Sequence, residues 1–177
     1  LGVARRHIGS SHMNLRPANT SDIATLRAWD SKPHVIAASG ADMPWDCDAE
    51  LSVSPNWRDL LIAEVDSQPI GVMQIIEPAE EESHYWGDVE PGQRAIDIWI
   101  GEETYLEKGY GTRMMTLALE KYFDAYQATA VLIDPLVSND RAIRFYESLG
   151  FRRIERRQFG DDDCYVYRLA HDDWEAR

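Results

Sequence analysis

Two glycines, Gly109 and Gly111, stand at the start of a segment with helical periodicity that runs from Thr112 to about Tyr126. Glycine permits backbone conformations and close approaches that a side chain forbids, so the pair predicts a tight turn that opens a helix. The first N–H groups of a helix have no partner within it, and the helix dipole favours an anion there. The turn therefore predicts a site for a phosphate-bearing ligand, the alternative being an ordinary tight turn.

The length of 177 residues fits one domain with a substantial core, and no apolar run is long enough to span a membrane. The stretch Gly9-Ser10-Ser11-His12-Met13 resembles a cloning remnant. We therefore expect residues 1–12 to be a vector-derived leader and residues 13–177 to form a single domain.

The formal net charge of −13 makes the surface strongly acidic. Such a surface repels nucleic-acid phosphates and anionic lipid, so we expect neither nucleic acid nor membrane as a partner. It would attract a small polycation, although acidity can also serve solubility alone. Cys47 and Cys164 lie far apart in no ligand-like spacing, which predicts neither a disulfide framework nor a metal site and favours a cytoplasmic location.

Periodicity and turn residues predict a mixed α/β domain in which a βα unit, a hairpin, a βαβα unit and a final hairpin build one sheet. The segment 31–56 is interrupted by prolines and a glycine, and we expect a loop with one short helix. The predicted strands cover residues 15–18, 60–65, 70–77, 94–101, 130–134, 151–158 and 164–169, and the predicted helices cover 20–30, 112–126 and 138–150.

A second motif follows the glycine turn and reads Asn139-x-x-Ala142-x-x-x-Tyr146-Glu147-x-x-Gly150-Phe151. Together the two motifs resemble those of the GNAT-superfamily N-acetyltransferases. The glycine turn departs from the family pattern at Leu106, where glutamine or arginine is usual. Further short phrases resemble the aminoglycoside 6'-N-acetyltransferases within that superfamily: Pro33-His34-Val35, Pro69-Ile70-Gly71, Pro91-Gly92-x-Arg94-x-Ile96-Asp97 and Asp134-Pro135. A branch that acylates hydroxylated lysine in siderophore synthesis shares many of these phrases.

The resemblance implies the GNAT fold, a central and mostly antiparallel twisted sheet that splays between the fourth and fifth strands and is flanked by helices. Acetyl-CoA would be the cosubstrate and would lie in the splay. The residues implied to bind it are Ile98, Trp99 and Ile100 for the pantetheine arm, Lys108, Gly109, Tyr110, Gly111, Thr112 and Arg113 for the pyrophosphate, and Asn139, Ala142 and Tyr146 from the second motif.

Two residues are candidates for the proton transfers that amine acetylation requires. Asp97 stands in the middle of an apolar strand pattern, where it could receive a proton from the substrate ammonium directly or through water. Alternatively, backbone donors or Arg94 satisfy it as a buried structural carboxylate. The resemblance places the phenol of Tyr146 near the sulfur of CoA as a general acid, and core packing is the alternative role.

The acceptor side is expected to combine carboxylates, which pair with ammonium groups, and aromatic rings, on which sugars stack. The candidate residues are Trp45, Glu82, Tyr85, Trp86, Asp88, Asp97 and Asp134. For Asp134 a turn or helix-capping role is the alternative, and Asn139 could likewise cap a helix instead of binding pantetheine.

The implied activity is acetyl-CoA-dependent N-acetylation of a primary amine, the 6'-amine, of aminoglycoside antibiotics, which confers resistance. The alternatives are acylation of a siderophore precursor or another small polyamine, and a non-catalytic regulatory domain that binds acyl-CoA. The sequence leaves open whether the chain is a monomer or a homodimer.

Overall fold

The computed structural model of the chain describes residues 11–39 and 45–177. The strands in these ranges are β1 (Met13–Pro17), β2 (Arg58–Val65), β3 (Gln68–Ile76), β4 (Gln93–Ile100), β5 (Ala130–Ile133), β6 (Arg152–Phe159) and β7 (Asp162–Ala170). The helices are α1 (Ile23–Asp30), α2 (Pro33–Ser39), α3 (Cys47–Ser52), α4 (Tyr110–Leu119), α5 (Asp140–Ser148) and α6 (His171–Glu175). Among the described residues, no helix combines the length and the apolar character that crossing a bilayer requires.

All seven strands form one sheet in the order β1-β2-β3-β4-β5-β7-β6. The pairing of β4 with β5 is parallel, and the other five pairings are antiparallel. The prediction of a mixed α/β fold with a mostly antiparallel sheet is therefore confirmed. The predicted βα, hairpin, βαβα and hairpin order is also that of the structure.

The β2–β3 hairpin turns on two residues, Asp66 and Ser67, which have φ angles of +49° and +68°. Positive φ at both central residues is typical of the turn whose twist matches paired strands, and aspartate tolerates this conformation better than most residues. The hairpin was predicted with a longer loop through Pro69. Instead β3 begins at Gln68, and Pro69 pairs with Glu64 beside a register shift in β2, where a missing N–H donor is tolerated.

The helical segments differ from prediction in several places, one of them the unpredicted short helix α6 after the last strand. The irregular segment contains two short helices, α2 and α3, on either side of residues 40–44, which lie outside the described residues. The helix after the glycine turn becomes a π-helical turn at Glu120–Ala125. Helix α5 begins at Asp140, two residues after the predicted start at 138; its N-cap is Asn139, whose side-chain oxygen accepts a hydrogen bond from the N–H of Ala142 at 3.1 Å.

The core divides into one large cluster on the α4 and α5 face of the sheet and two smaller clusters on the opposite face. On that opposite face, the cross-strand pair Val72 and Trp99 belongs to one small cluster, and the pair Ile76 and Ala95 belongs to the other. Because side chains alternate along a strand, the pair between them on the same face is Gln74 and Asp97. Two apolar clusters therefore flank a polar strip in the middle of the sheet.

The strands β4 and β5 stay paired over only three residues, Gln93 to Ala95 on β4 and Ala130 to Leu132 on β5. On its other side β4 remains paired with β3 up to Ile100. The C-terminal half of β4 therefore has no strand on the β5 side, which is the splay that the resemblance implied.

Gly101 follows β4 directly beneath the buried ring of Trp29 on α1, and any Cβ at this position would overlap that indole. We predict that Gly101→Ala lowers the free energy of unfolding by about 2–3 kcal/mol, because overpacking forces a buried ring to move. Urea denaturation followed by tryptophan fluorescence measures this loss.

The matched control is Gly111→Ala, since a Cβ there would meet its nearest neighbour, Phe145, at an ordinary 3.6 Å. This variant is expected to unfold within about 1 kcal/mol of wild type. Equal losses for the two variants would show that the Trp29 contact is not what requires glycine at position 101.

Candidate active site

The first turn of α4 presents main-chain N–H groups with no partner inside the helix. Gly109 is the N-cap, with a φ of +82° that favours glycine, and no side chain in the described part of the chain caps this end. The first helical hydrogen bond runs from the N–H of Arg113 to the carbonyl of Gly109 at 3.1 Å. The N–H groups of Tyr110, Gly111 and Thr112 therefore point out of the helix end, where they can bind a phosphate group.

This helix end faces the gap left by the splayed strands. A Cβ at Gly111 would lie 3.6 Å from the ring of Phe145 on α5 and 3.9 Å from Ile100 at the end of β4. The missing side chain therefore leaves space between α5 and β4 directly beside the free amides. A cradle of amides that a Cβ would partly fill fits the pyrophosphate of CoA.

The main-chain N–H and C=O groups of successive residues in β4 point alternately to β3 and to the gap. The N–H of Gly101 donates to the carbonyl of Ile70 at 2.9 Å, and the antiparallel register then directs the main-chain groups of Trp99 to β3 as well. Those of Ile98 and Ile100 point away from β3 toward the gap, where the carbonyl of Ile100 meets Nε2 of His34 at 2.8 Å. The prediction that Trp99 contributes main-chain donors to pantetheine is therefore wrong, whereas Ile98 and Ile100 stay candidates.

Three other predicted cofactor residues have partners within the protein. The guanidinium of Arg113 lies over the ring of Tyr110 and donates to the hydroxyl and the carbonyl of Ser11, in the expected leader, at 3.1 and 2.6 Å, so its pyrophosphate contact stays a prediction. The ammonium of Lys108 donates to the carbonyl of Thr104 at 2.6 Å and closes the turn. The side-chain oxygen of Asn139 caps α5 through the N–H of Ala142, which is the alternative role considered for it.

Asp97 lies in the polar strip between the two small clusters. Solvent reaches its carboxylate, but protein surrounds it on most sides, so the residue lines a cleft and not the outer surface. This desolvation raises the pKa of Asp97 above the ordinary aspartate value of 3.8. Arg94 does not neutralise it, because that guanidinium donates to the carbonyl of Gln93 at 2.9 Å and lies 3.5 Å from Glu77.

Asp134, directly after β5, belongs to the same cleft. Burial raises its pKa, and so does the negative charge of Asp97, while a hydrogen bond from the hydroxyl of Tyr85 at 2.6 Å opposes the rise. The two carboxyls titrate as a coupled pair, since each proton that one binds eases ionisation of the other. The cap of α5 is Asn139, so Asp134 is not the capping residue of that helix.

Tyr146 on α5 is buried, and its ring lies 5.1 Å from that of Phe145 and 5.9 Å from that of Phe151 between centroids. Burial raises the pKa of Tyr146, and the negative charges of Asp97 and Asp134 raise it further. The phenol therefore stays protonated at neutral pH, so its hydroxyl can act as a proton donor. The packing of the ring in the core, which is the alternative role considered for Tyr146, therefore does not rule out a role for its hydroxyl as a proton donor.

Only some of the aromatic residues predicted for the acceptor side lie where they could contact a substrate. Trp86 is 3% exposed within an apolar cluster, so the prediction that it stacks on a sugar is wrong. Trp45 packs edge-on against Trp99 at 5.9 Å and donates through Nε1 to Asp30 at 3.1 Å, which places it beside β4. Tyr85 stays exposed near Asp134.

The other two predicted acidic residues of the acceptor side, Glu82 and Asp88, stay candidates, and each lines a surface pocket. Glu82 lines one surface pocket together with Trp57, and Asp88 lines another with Val89. Neither pocket is lined by Asp97 or by Asp134.

Sequence reasoning missed three residues that shape the cleft. Glu81 is buried and accepts hydrogen bonds from the N–H groups of Ser83 and Tyr85 at 2.8 and 3.0 Å. Phe159 stacks on Tyr85 with ring centroids 4.5 Å apart, and His34 lies 2.8 Å from the carbonyl of Ile100 through Nε2. The run of three glutamates at 80–82 was visible, but nothing in the sequence shows which one turns inward.

The raised pKa of Asp97 predicts a trade-off between stability and function. A carboxyl whose folded-state pKa exceeds the unfolded value stabilises the fold below the unfolded pKa, and this contribution is lost as the pH rises through the folded pKa. Asp97→Asn should therefore melt like wild type at pH 4 and about 2 °C higher at pH 8, a modest gain because solvent partly screens the site. Differential scanning calorimetry at both pH values measures the difference, and a gain that is equal at pH 4 and pH 8 would contradict the electrostatic explanation.

Comparisons with known proteins agree with this geometry. A family model described as an acetyltransferase (GNAT) domain matches residues 18–159. An aminoglycoside N(6')-acetyltransferase type 1 from Klebsiella pneumoniae is 30% identical over 169 residues, which cover 86% of this chain and 82% of that protein. A crystal structure of aminoglycoside acetyltransferase AAC(6')-Ib in complex with coenzyme A and kanamycin has a TM-score of 0.82 and 26% identity, covering 93% of this chain and 98% of that chain. The chain belongs to the GNAT family of acetyltransferases.

Proposed function

We propose that this acetyltransferase transfers the acetyl group of acetyl-CoA to the 6'-amine of an aminoglycoside antibiotic and thereby confers resistance. The observation that carries the proposal is the coupled carboxyl pair, Asp97 and Asp134, in a cleft beside the splayed strands. The similar proteins support it, since one of them is seen with both coenzyme A and kanamycin.

The carboxyl pair favours an acceptor with more than one positive charge. Two nearby carboxylates in a desolvated cleft repel each other, and an ammonium group beside each would remove that repulsion and lower both pKa values. A monoamine neutralises only one of them. The net charge of −13 would also attract a polycation to the protein from a distance.

The reaction needs an uncharged amine, and Asp97 is placed to receive the proton that the ammonium gives up. Its raised pKa makes the carboxylate a better base than an ordinary aspartate near neutral pH. Acetyl-CoA supplies the electrophilic thioester carbonyl and a thiolate as leaving group. The protonated phenol of Tyr146 is the donor that would return a proton to that thiolate.

The cofactor would be held mainly by main-chain groups. The amides of Tyr110, Gly111 and Thr112 bind the pyrophosphate, and the main-chain groups of Ile98 face the gap where the pantetheine arm would pass as an added strand. Because these contacts require no particular side chain, the replacement of the usual glutamine or arginine by Leu106 leaves them intact.

An acceptor panel tests the proposal. With acetyl-CoA present, we expect kanamycin and tobramycin to cause thiol release at least tenfold faster than lysine or hydroxylysine at equal concentration. Lysine and hydroxylysine also carry two ammonium groups, but each brings a carboxylate that Asp97 and Asp134 would repel. Nuclear magnetic resonance of the product identifies the acetylated amine. Release with hydroxylysine alone would favour the siderophore-precursor activity, and binding of CoA without release for any acceptor would favour a non-catalytic regulatory domain.

Substitution of the two candidate catalytic residues tests the mechanism. We predict that Asp97→Asn lowers kcat by at least about 100-fold and Tyr146→Phe by at least about tenfold, because each removes one proton-transfer group. Calorimetry should show the dissociation constant for CoA changed by less than about threefold in either variant.

The matched control for this pair is Tyr126→Phe, which removes the hydroxyl of a surface tyrosine that is 55% exposed. It should retain wild-type kcat. Full turnover in both Asp97→Asn and Tyr146→Phe would refute the assigned roles while leaving the acceptor question to the panel.

A further inference from the structure

Tyr85 was expected to offer its ring to a sugar, but the structure gives both the ring and the hydroxyl a partner. One face of the ring stacks on Phe159, with centroids 4.5 Å apart and planes inclined by 8°. The ring also contacts Trp86 edge-on at 5.7 Å. Its hydroxyl donates to Oδ2 of Asp134 at 2.6 Å, across 49 residues of sequence.

The backbone around Tyr85 is anchored from two sides. The buried carboxylate of Glu81 accepts the N–H of Tyr85 at 3.0 Å and that of Ser83 at 2.8 Å, which fixes the turn before it. Beyond it, the guanidinium of Arg157 on β6 donates to the carbonyl of Trp86 at 2.9 Å. The ring stack, the glutamate and the arginine together leave the hydroxyl little freedom, so its bond to Asp134 is a preorganised contact.

We propose that Tyr85 is a positioning residue whose hydroxyl orients the carboxylate of Asp134 through a direct hydrogen bond, so that Asp134 can receive the second ammonium group of the acceptor. This inference rests on the proposed function, and it adds to that function a specificity role for a residue outside the two carboxylates.

The charged and titratable groups that face Asp134 explain why such a donor is needed. The negative charges of Asp97 on β4 and of Asp162 on β7 act on it. Cys164 on β7 and Tyr146 on α5 are titratable groups on which the charge of Asp134 acts in turn. Burial first, and then the two negative charges, raise the pKa of Asp134. The hydroxyl of Tyr85 and the N–H of Asp134 itself are the hydrogen bonds that favour the carboxylate.

The direction of the effect follows from this balance. Removal of the Tyr85 hydroxyl takes away a bond that lowers the pKa of Asp134, so this pKa rises further and a smaller fraction of Asp134 is ionised near neutral pH. Binding of a polycation would weaken, because one of its ammonium groups meets a neutral acid. Turnover of acceptor that is already bound would change little, since Asp97 and Tyr146 are untouched.

The test is Tyr85→Phe, which keeps the aromatic stack on Phe159 and deletes only the hydroxyl. With kanamycin as acceptor, we expect KM to rise about tenfold and kcat to stay within about threefold, the range for loss of a hydrogen bond to a charged group. In the plot of kcat/KM against pH, the midpoint of the acidic limb should shift to a pH about one unit higher. The KM for acetyl-CoA should not change.

A second measurement judges the positioning role without any acceptor. In protein labelled with ¹³C at aspartate carboxyls, the titration midpoint of Asp134 should rise by about one pH unit in Tyr85→Phe relative to wild type. Because this readout needs no turnover, it separates failure of the positioning role from failure of the proposed function, which would appear as absence of aminoglycoside acetylation by wild type.

Phe159→Leu serves as the packing control, since it removes the stack and keeps the hydroxyl, and Tyr126→Phe controls for loss of a phenol elsewhere. A shift of the Asp134 midpoint in Tyr85→Phe but in neither control supports the proposal. An unchanged midpoint and an unchanged kcat/KM profile in Tyr85→Phe would overturn it. An equal shift in Phe159→Leu would also overturn it, because the effect would then come from packing and not from the hydroxyl.

Discussion

The divergence of β4 from β5 after three paired residues is the constraint on which the rest of the site depends. It leaves the main chain of Ile98 and the N–H of Ile100 facing a gap, and it exposes Asp97 and Asp134 to one cleft. If β4 and β5 stayed paired along their whole length, all main-chain hydrogen-bonding groups of β4 would have partners, but no room would remain for a ligand arm between the strands. The unpaired edge is therefore a stability cost that ligand binding offsets.

The carboxyls of Asp97 and Asp134 also lower the stability of the fold without ligand. Desolvation raises both pKa values, and the negative charge of Asp97 raises that of Asp134 further, so the fold without ligand would be more stable with neutral residues at these positions. The surrounding apolar clusters strengthen the field that an incoming ammonium experiences, because a lower local dielectric increases the attraction between opposite charges. The same desolvation that destabilises the empty cleft thus makes it selective for a polycation.

The sequence was sufficient to predict features that depend on residues near each other in the chain. It was not sufficient for side chains whose burial and direction depend on residues far away in the sequence. The glycine turn, the strand that carries Asp97 and the mixed sheet are local patterns, and the structure contains all three. The burial of Trp86 could not be read from its neighbours, because it depends on Phe159, which is 73 positions away. The partner of Arg113, Ser11, could not be read from the local pattern either, because it lies 102 positions away in the sequence.

This contrast separates the site into two parts with different tolerance to sequence change. The cofactor part uses main-chain amides, so Leu106 can replace the usual polar residue as long as Gly109 keeps its left-handed conformation. The acceptor part uses side chains whose state depends on partners: the charge of Asp134 depends on Tyr85, and the position of Tyr85 depends on Glu81 and Phe159. Changes of acceptor preference within this family should therefore arise in the shell around Asp134 more readily than in the glycine turn, because the side-chain shell can vary without loss of cofactor binding.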